Sequence, residues 1–148
     1  MRVTWPLLLL PLLVLGCGSP ATQTGAGVEE DGSYIEAFAA ERDRVFEAAV
    51  QAAREVGYRT DVVDPTGGRI SGQTEPTRRG IGVNVQYYIL RADVLPPTSG
   101  LAESRLRVVI TYTYHLSGQS RTSINDKIVG AREKYDAYFK AVRRHLNG

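Results

Sequence analysis

The chain predicts an α+β domain: an antiparallel sheet with two helices packed on one of its faces, in the order (β)-α-β-β-β-β-α. Three observations predict it. Apolar residues recur at three- and four-residue steps through 42–56 and again through the C-terminal segment, which is the period of a helix with one buried face. Between them the period falls to two, most clearly over 103–116. Glycine- and proline-rich turns separate the alternating runs, so consecutive strands return beside one another.

Each element follows in order. Residues 34–39 (YIEAFA) read either as a first strand or as the lead-in to a helix. In 42–56, Val45, Phe46, Ala49, Val50, Ala53 and Val56 form one stripe; Asp43 suits the first turn, and Gly57 suits the left-handed residue that ends a helix. Residues 58–63 alternate, Asp64-Pro65-Thr66-Gly67-Gly68 turns the chain, and 69–74 return as the partner strand. Residues 75–80 read as a polar turn, with Arg78-Arg79 at a charged hairpin tip. Two long strands follow, 81–94 and 103–116. At about 3.3 Å per residue they approach 45 Å, so either a bulge curls the hairpin around the terminal helix or its tip, with Leu95 and Leu101, projects towards a partner.

In 103–116 the residues Leu106, Val108, Ile110, Tyr112, Tyr114 and Leu116 share one face; Arg105, Arg107, Thr111, Thr113 and His115 share the other. One buried and one wet face is the pattern of an antiparallel sheet. The last helix is expected from about Ile124, capped by Ser123 with Asp126, with Ile128, Ala131, Tyr135, Phe139, Val142 and Leu146 inward and Arg143, Arg144 and His145 at its negative end. Two helix stripes and one apolar sheet face are satisfied together when both helices cover the same side.

The domain so defined covers 34–148. Ahead of it, 18–33 (GSPATQTGAGVEEDGS) has almost no apolar content and cannot offset the entropy of ordering, so a disordered tether with an end-to-end distance of roughly 21 Å is expected. Residues 1–16 have the parts of an export signal: Arg2, an apolar run from Trp5 to Leu15, and small Gly16 before Cys17. Pro6 and Pro11 interrupt the run, and a helix of roughly 16 Å falls short of a bilayer.

The stretch Val14-Leu15-Gly16-Cys17 resembles the lipobox of bacterial lipoprotein precursors. The resemblance implies cleavage between Gly16 and Cys17, a thioether-linked diacylglycerol on Cys17, and acylation of the new amino terminus. Gly18 after the cysteine, rather than aspartate, implies by the same likeness an outer-membrane address with the domain facing the periplasm, or the cell surface in a host with one membrane. Each buried methylene of such chains contributes about 0.8 kcal/mol. The runs Tyr34-Ile35-Glu36-Ala37, Asp43-Arg44-Val45-Phe46-Glu47-Ala48, Gly57-Tyr58 and Gly68-Arg69-Ile70-Ser71-Gly72 look like those of small uncharacterised Gram-negative lipoproteins. That layout is similar to the helix-grip domains in the C lipoprotein of the outer-membrane β-barrel assembly machine. The likeness implies fold and location and carries no catalytic residue across.

Composition narrows the function. The net charge of +2 includes Arg2, so the processed chain is nearly neutral and gives no electrostatic reason to expect nucleic acid. Cys17 is the one cysteine, and its acylation leaves no thiol for disulfides, redox chemistry or zinc. His115 and His145 lie on different elements, and Ser117 beside His115 makes no triad. Gly25-Ala26-Gly27 and Gly80-Ile81-Gly82 open no helix and are not phosphate loops; Glu29-Glu30-Asp31 fall in the tether. No catalytic, metal or cofactor site is expected.

Two surfaces are candidates for binding. Arg59, Arg69, Arg105 and Arg107 with Gln86, Tyr88 and Thr111 are expected on the outward sheet face, polar and somewhat basic, as a solvated face or a dock for an anionic surface. Tyr58, Tyr87, Tyr112, Tyr114 and Tyr135 are expected between sheet and helices, filling the core or enclosing a cleft. The sequence thus leads to a lipid-anchored, non-enzymatic accessory or scaffold subunit of an envelope complex, with an envelope protein as partner. The alternative is a periplasmic module for a small apolar or lipid-like ligand.

Overall fold

The alternation over 103–116 becomes the longest strand of the sheet in a computed structural model that describes residues 27–79, 84–97, 103–116 and 123–148. In chain order the elements are β1 (Gly27–Val28), β2 (Tyr34–Phe38), α1 (Arg42–Glu55), β3 (Tyr58–Asp64), β4 (Arg69–Thr74), β5 (Thr77–Arg79), β6 (Asn84–Leu95), β7 (Ser104–Leu116), β8 (Ser123–Ile128) and α2 (Arg132–Asn147). All pairings are antiparallel, in the order β1-β2-β7-β6-β4-β3, with β5 added to β6 and β8 to β7. This is the expected α+β fold, with the open reading of 34–39 settled as a strand.

The two long strands organise the sheet. β6 and β7 pair over twelve positions, from Asn84↔Leu116 to Leu95↔Arg105, in unbroken register. Of the two alternatives for this hairpin, a bulge is therefore not found along the paired positions, and the irregularity falls on β3, between Thr60 and Val62; Leu101, at the expected tip, lies outside the described residues. Each long strand then has an outer edge of backbone groups that must be paired. Two short strands share each edge in succession. On β6, β4 covers Ile89–Asp93 and β5 covers Asn84–Gln86; on β7, β2 covers Ser104–Val108 and β8 covers Thr111–Leu116.

That requirement corrects two expectations. The polar turn at 75–80 contains β5, because β6 outruns β4. The terminal helix does not begin near Ile124: 123–128 is strand β8, and the break comes at Val129 and Gly130, a residue poorly suited to a helix interior. Ser123 and Asp126 therefore lie in β8 and not at the start of the helix. The helix is entered at Ala131, in extended conformation and without a side-chain cap. A third correction concerns the tether. Within the stretch expected to be disordered, Gly27–Val28 form β1, which pairs with Tyr34 and Ile35 across a turn held by Asp31 Oδ1, which accepts the Ser33 N–H at 2.9 Å.

Both helices lie on one side of the sheet, as expected. Leu90, Ala92, Val94, Leu106, Val108 and Ile110 face them and are buried. Full burial of such side chains contributes about 1.5–3 kcal/mol each for Val, Leu or Ile. From α2 come Tyr135, Phe139 and Val142, with Tyr138 and Ala141 in addition; Ile128 instead points from the outer face, 52% exposed. α1 contributes Val45, Phe46, Val50 and the small residues Ala48, Ala49, Ala52 and Ala53, which let α2 approach closely enough for the Tyr138 hydroxyl to donate to Ala49 O at 3.0 Å. Glu36, on the covered face of β2, is buried against Arg143 of α2.

Register also corrects the faces. Gln86 and Tyr88 stand on the helix side of β6, in line with Leu90, whereas Tyr87 stands on the outer side. Tyr58, Tyr112, Tyr114 and Tyr135 hold their expected side, joined by Tyr34 and Tyr138.

Candidate functional site

The helices cover one half of the inner sheet face and leave the other half partly open. Counting outward along β6 and β7 from the buried pair Leu90↔Ile110, the next inner-face pair is Tyr88↔Tyr112 and the one after it is Gln86↔Tyr114. All four side chains are half-buried. The Tyr88 and Tyr112 ring centroids are 5.2 Å apart with planes tilted by 46°, and those of Tyr112 and Tyr114 are 5.8 Å apart at 30°. Strand pleating puts alternate residues on one face and register places two strands side by side, so the row is a direct product of the sequence pattern.

Two ammonium groups flank the rings. Lys127 of β8 lies directly opposite Tyr112 on the same face and is exposed. Lys134, in the first turn of α2, stands with Nζ 4.0 Å from the Tyr88 ring centroid, a cation–π contact. Among the described side chains on the inner face at this end, Thr77 of β5, Gln86 and Tyr88 of β6, Tyr112 and Tyr114 of β7 and Lys127 of β8, none is an aspartate or glutamate. Behind the row, the Tyr88 N–H donates to Thr74 Oγ1 at 3.0 Å. Deeper still, burial pushes the Tyr58 hydroxyl up to about 12, with Tyr135 and Tyr88 adding to the effect. The interior below the helices is filled by Tyr135, Tyr138, Phe139, Leu90, Leu106 and Ile110, each without exposed surface.

The outer face is different. Arg107 pairs with Asp93 at 2.9 Å, Arg69 with Asp64 at 3.1 Å and Arg59 with Glu75 at 3.6 Å, while Glu29, Glu30 and Asp31 border Arg107. Register places Arg59, Arg69, Arg105 and Arg107 on the outer face as expected, three of them beside carboxylates, whereas Gln86 and Tyr88 do not belong to it. At its far end the His115 ring stacks on Tyr87, with Nε2 3.3 Å from the hydroxyl. His145 is far from it in role, with Nε2 2.9 Å from Glu55 Oε2 beside the Arg144–Glu55 pair at the end of α2.

Gly16, Cys17 and Ser117 lie outside the described residues. Among the described residues no three His, Cys, Asp or Glu side chains form a group able to hold a metal ion, and no helix is long and apolar enough to cross a membrane. A groove of about 540 Å³ runs beside α1, with Phe46, Val50, Val63 and Leu146 among its apolar residues and Arg44 and His145 among its polar ones. No family model matches the chain, and no curated protein matches it closely.

Sequence reading missed the tyrosine–lysine row by one residue. It placed Tyr87 inward and Tyr88 outward, although counting back from Leu90, Ala92 and Val94 in steps of two reaches Tyr88. Lys127 and Lys134 were hidden by the expectation of one continuous helix.

Proposed function

We propose that this chain is a lipid-anchored envelope lipoprotein whose α+β domain acts as a non-enzymatic docking subunit of an envelope assembly. The observation that carries this reading is Cys17, the single cysteine, ending an apolar run that begins near the amino terminus and standing ten residues before the first strand. Ten residues reach at most about 35 Å, so acyl chains on Cys17 would hold the domain close to the bilayer. A membrane address follows from the lipid without any spanning helix. The role of the domain follows from what it offers at its surface: half-buried tyrosines flanked by lysines, the residue type that carries binding at interfaces because it combines apolar area with a polar tip.

The deciding experiment is mass spectrometry of the protein purified from its native host, with parallel membrane fractionation of Cys17→Ala. The expected result is a mature chain beginning at Cys17 with a diacylglyceryl adduct, and release of the variant from the membrane pellet or its retention as unprocessed precursor. An unmodified Cys17 thiol in the native protein would overturn the reading.

A further inference from the structure

We propose that the Tyr88, Tyr112 and Tyr114 row, with Lys127 and Lys134, binds a linear glycan bearing carboxylates, giving the protein a second attachment beside its lipid. The setting in the envelope rests on the reading above; the binding itself rests on the face. Sugar rings are amphipathic in the way tyrosines are, with a face of C–H groups edged by hydroxyls. Such faces pack on aromatic π-surface while the hydroxyls find polar partners at the rim. The row supplies contiguous rings at 5.2 and 5.8 Å, and the Gln86 amide stands opposite Tyr114. Tyrosines also lose little rotamer freedom when they are covered.

Charge selects among glycans. Lys127 and Lys134 border the rings, and among the described inner-face side chains of this end none is acidic, so carboxylates on the chain are attracted. Shape selects against a bilayer. Lys134 of α2 overhangs Tyr88 at 4.0 Å and the rings are half-buried, so a flat lipid surface is held off where a narrow polymer can enter. On the outer face Arg59, Arg69 and Arg107 each already have a carboxylate, while Arg91 and Arg105 stand there without a row of aromatic rings beside them.

The test is co-sedimentation of the full-length protein, purified from its host in detergent, with peptidoglycan sacculi. Chitin serves as an uncharged glycan and vesicles of phosphatidylglycerol as an anionic surface without sugar. Expected are saturable binding to sacculi that weakens with added salt, less binding to chitin, and none to vesicles beyond that of the anchor alone. Tyr112→Ala and Lys127→Glu should each weaken sacculus binding by about tenfold, while Tyr112→Phe and Lys140→Glu, an exposed site elsewhere on α2, should not. Unchanged melting of the variants shows that the fold is kept. No binding to sacculi, equal binding by Tyr112→Ala and the parent, or transfer of the effect to the vesicles would each overturn the proposal. The mass of Cys17 in the same preparation reports on the anchor separately.

Discussion

The Tyr135 hydroxyl accepts the Ile110 N–H at 3.1 Å, in the interval of β7 between Val108, where β2 ends, and Thr111, where β8 begins. The Ile110 carbonyl in turn accepts the Val129 N–H at 2.8 Å. A side chain from α2 thus completes a row of backbone pairing that two strands leave unfinished, and its ring stacks on Tyr34 at 3.9 Å. Helix and sheet are locked at one point. Tyr135→Phe keeps the ring but strands a buried N–H, at a cost of about 1–3 kcal/mol. Tyr138→Phe removes a donor from Ala49 O, a carbonyl inside α1, and is expected to cost less, about 1 kcal/mol. Chemical denaturation of the two variants should rank them in that order, with amide exchange at Ile110 accelerated only by the first.

Glu36 and Arg143 make another tie between β2 and α2. The carboxylate is buried and the guanidinium is part-exposed, with side-chain exposures of 7% and 41%. Arg143→Ala leaves a buried charge without its partner and should destabilise by about 2–3 kcal/mol, below the range for a wholly buried pair because water reaches this site from the arginine side. The double variant Glu36→Leu with Arg143→Met removes the uncompensated charge and should recover most of the loss. A double variant no more stable than Arg143→Ala would mean that the pair contributes through packing instead.

Local pattern carried much of the fold into view. The stripe of Val45, Ala49 and Ala53, the turn at 64–68 and the alternation of Leu106, Val108 and Ile110 each encode their own geometry, and all three stand where the periodicity puts them. What stayed hidden depends on partners distant in sequence. Thr77–Arg79 and Ser123–Ile128 are strands because β6 and β7 outrun their neighbours, which their own residues do not announce. Gly130 is a local sign against one long terminal helix. The tyrosine row needed correct parity on β6 and the start of α2 together, so it was legible only in part.

Gly68 has φ +69, its carbonyl accepts the Val94 N–H at 2.8 Å, and a Cβ there would stand 2.7 Å from Val94 O and 2.6 Å from an Arg42 guanidinium nitrogen. Gly57 has φ +93 with open space around its would-be Cβ. Both substitutions by alanine strain the backbone by about 1 kcal/mol. Gly68→Ala adds a clash with main chain and should lose about 1–2 kcal/mol more than Gly57→Ala, read as a lower melting temperature. Equal losses would show that β4 and β6 can separate at this corner without penalty.

Stability should fall at both ends of the pH scale, for opposite reasons. Burial first, then the phenols of Tyr135 and Tyr88, raise Tyr58 from 10.0 to about 12, and burial raises Tyr138 as well. A raised folded-state pKa means that the native fold holds the proton more tightly than the unfolded chain. Its stabilising contribution is therefore whole below pH 10 and is lost as pH climbs from 10 towards 12. At the acid end, the Gly67 N–H and then Arg69 hold Asp64 below its ordinary value, so that contribution is present above about pH 4 and disappears as pH falls. Melting temperature against pH should show a plateau between these limits. Tyrosinate absorbance followed in the same samples should show Tyr58 ionising only as the fold is lost. Tyr58→Phe should flatten the alkaline limb, and an unchanged limb in that variant would assign the alkaline loss to other groups.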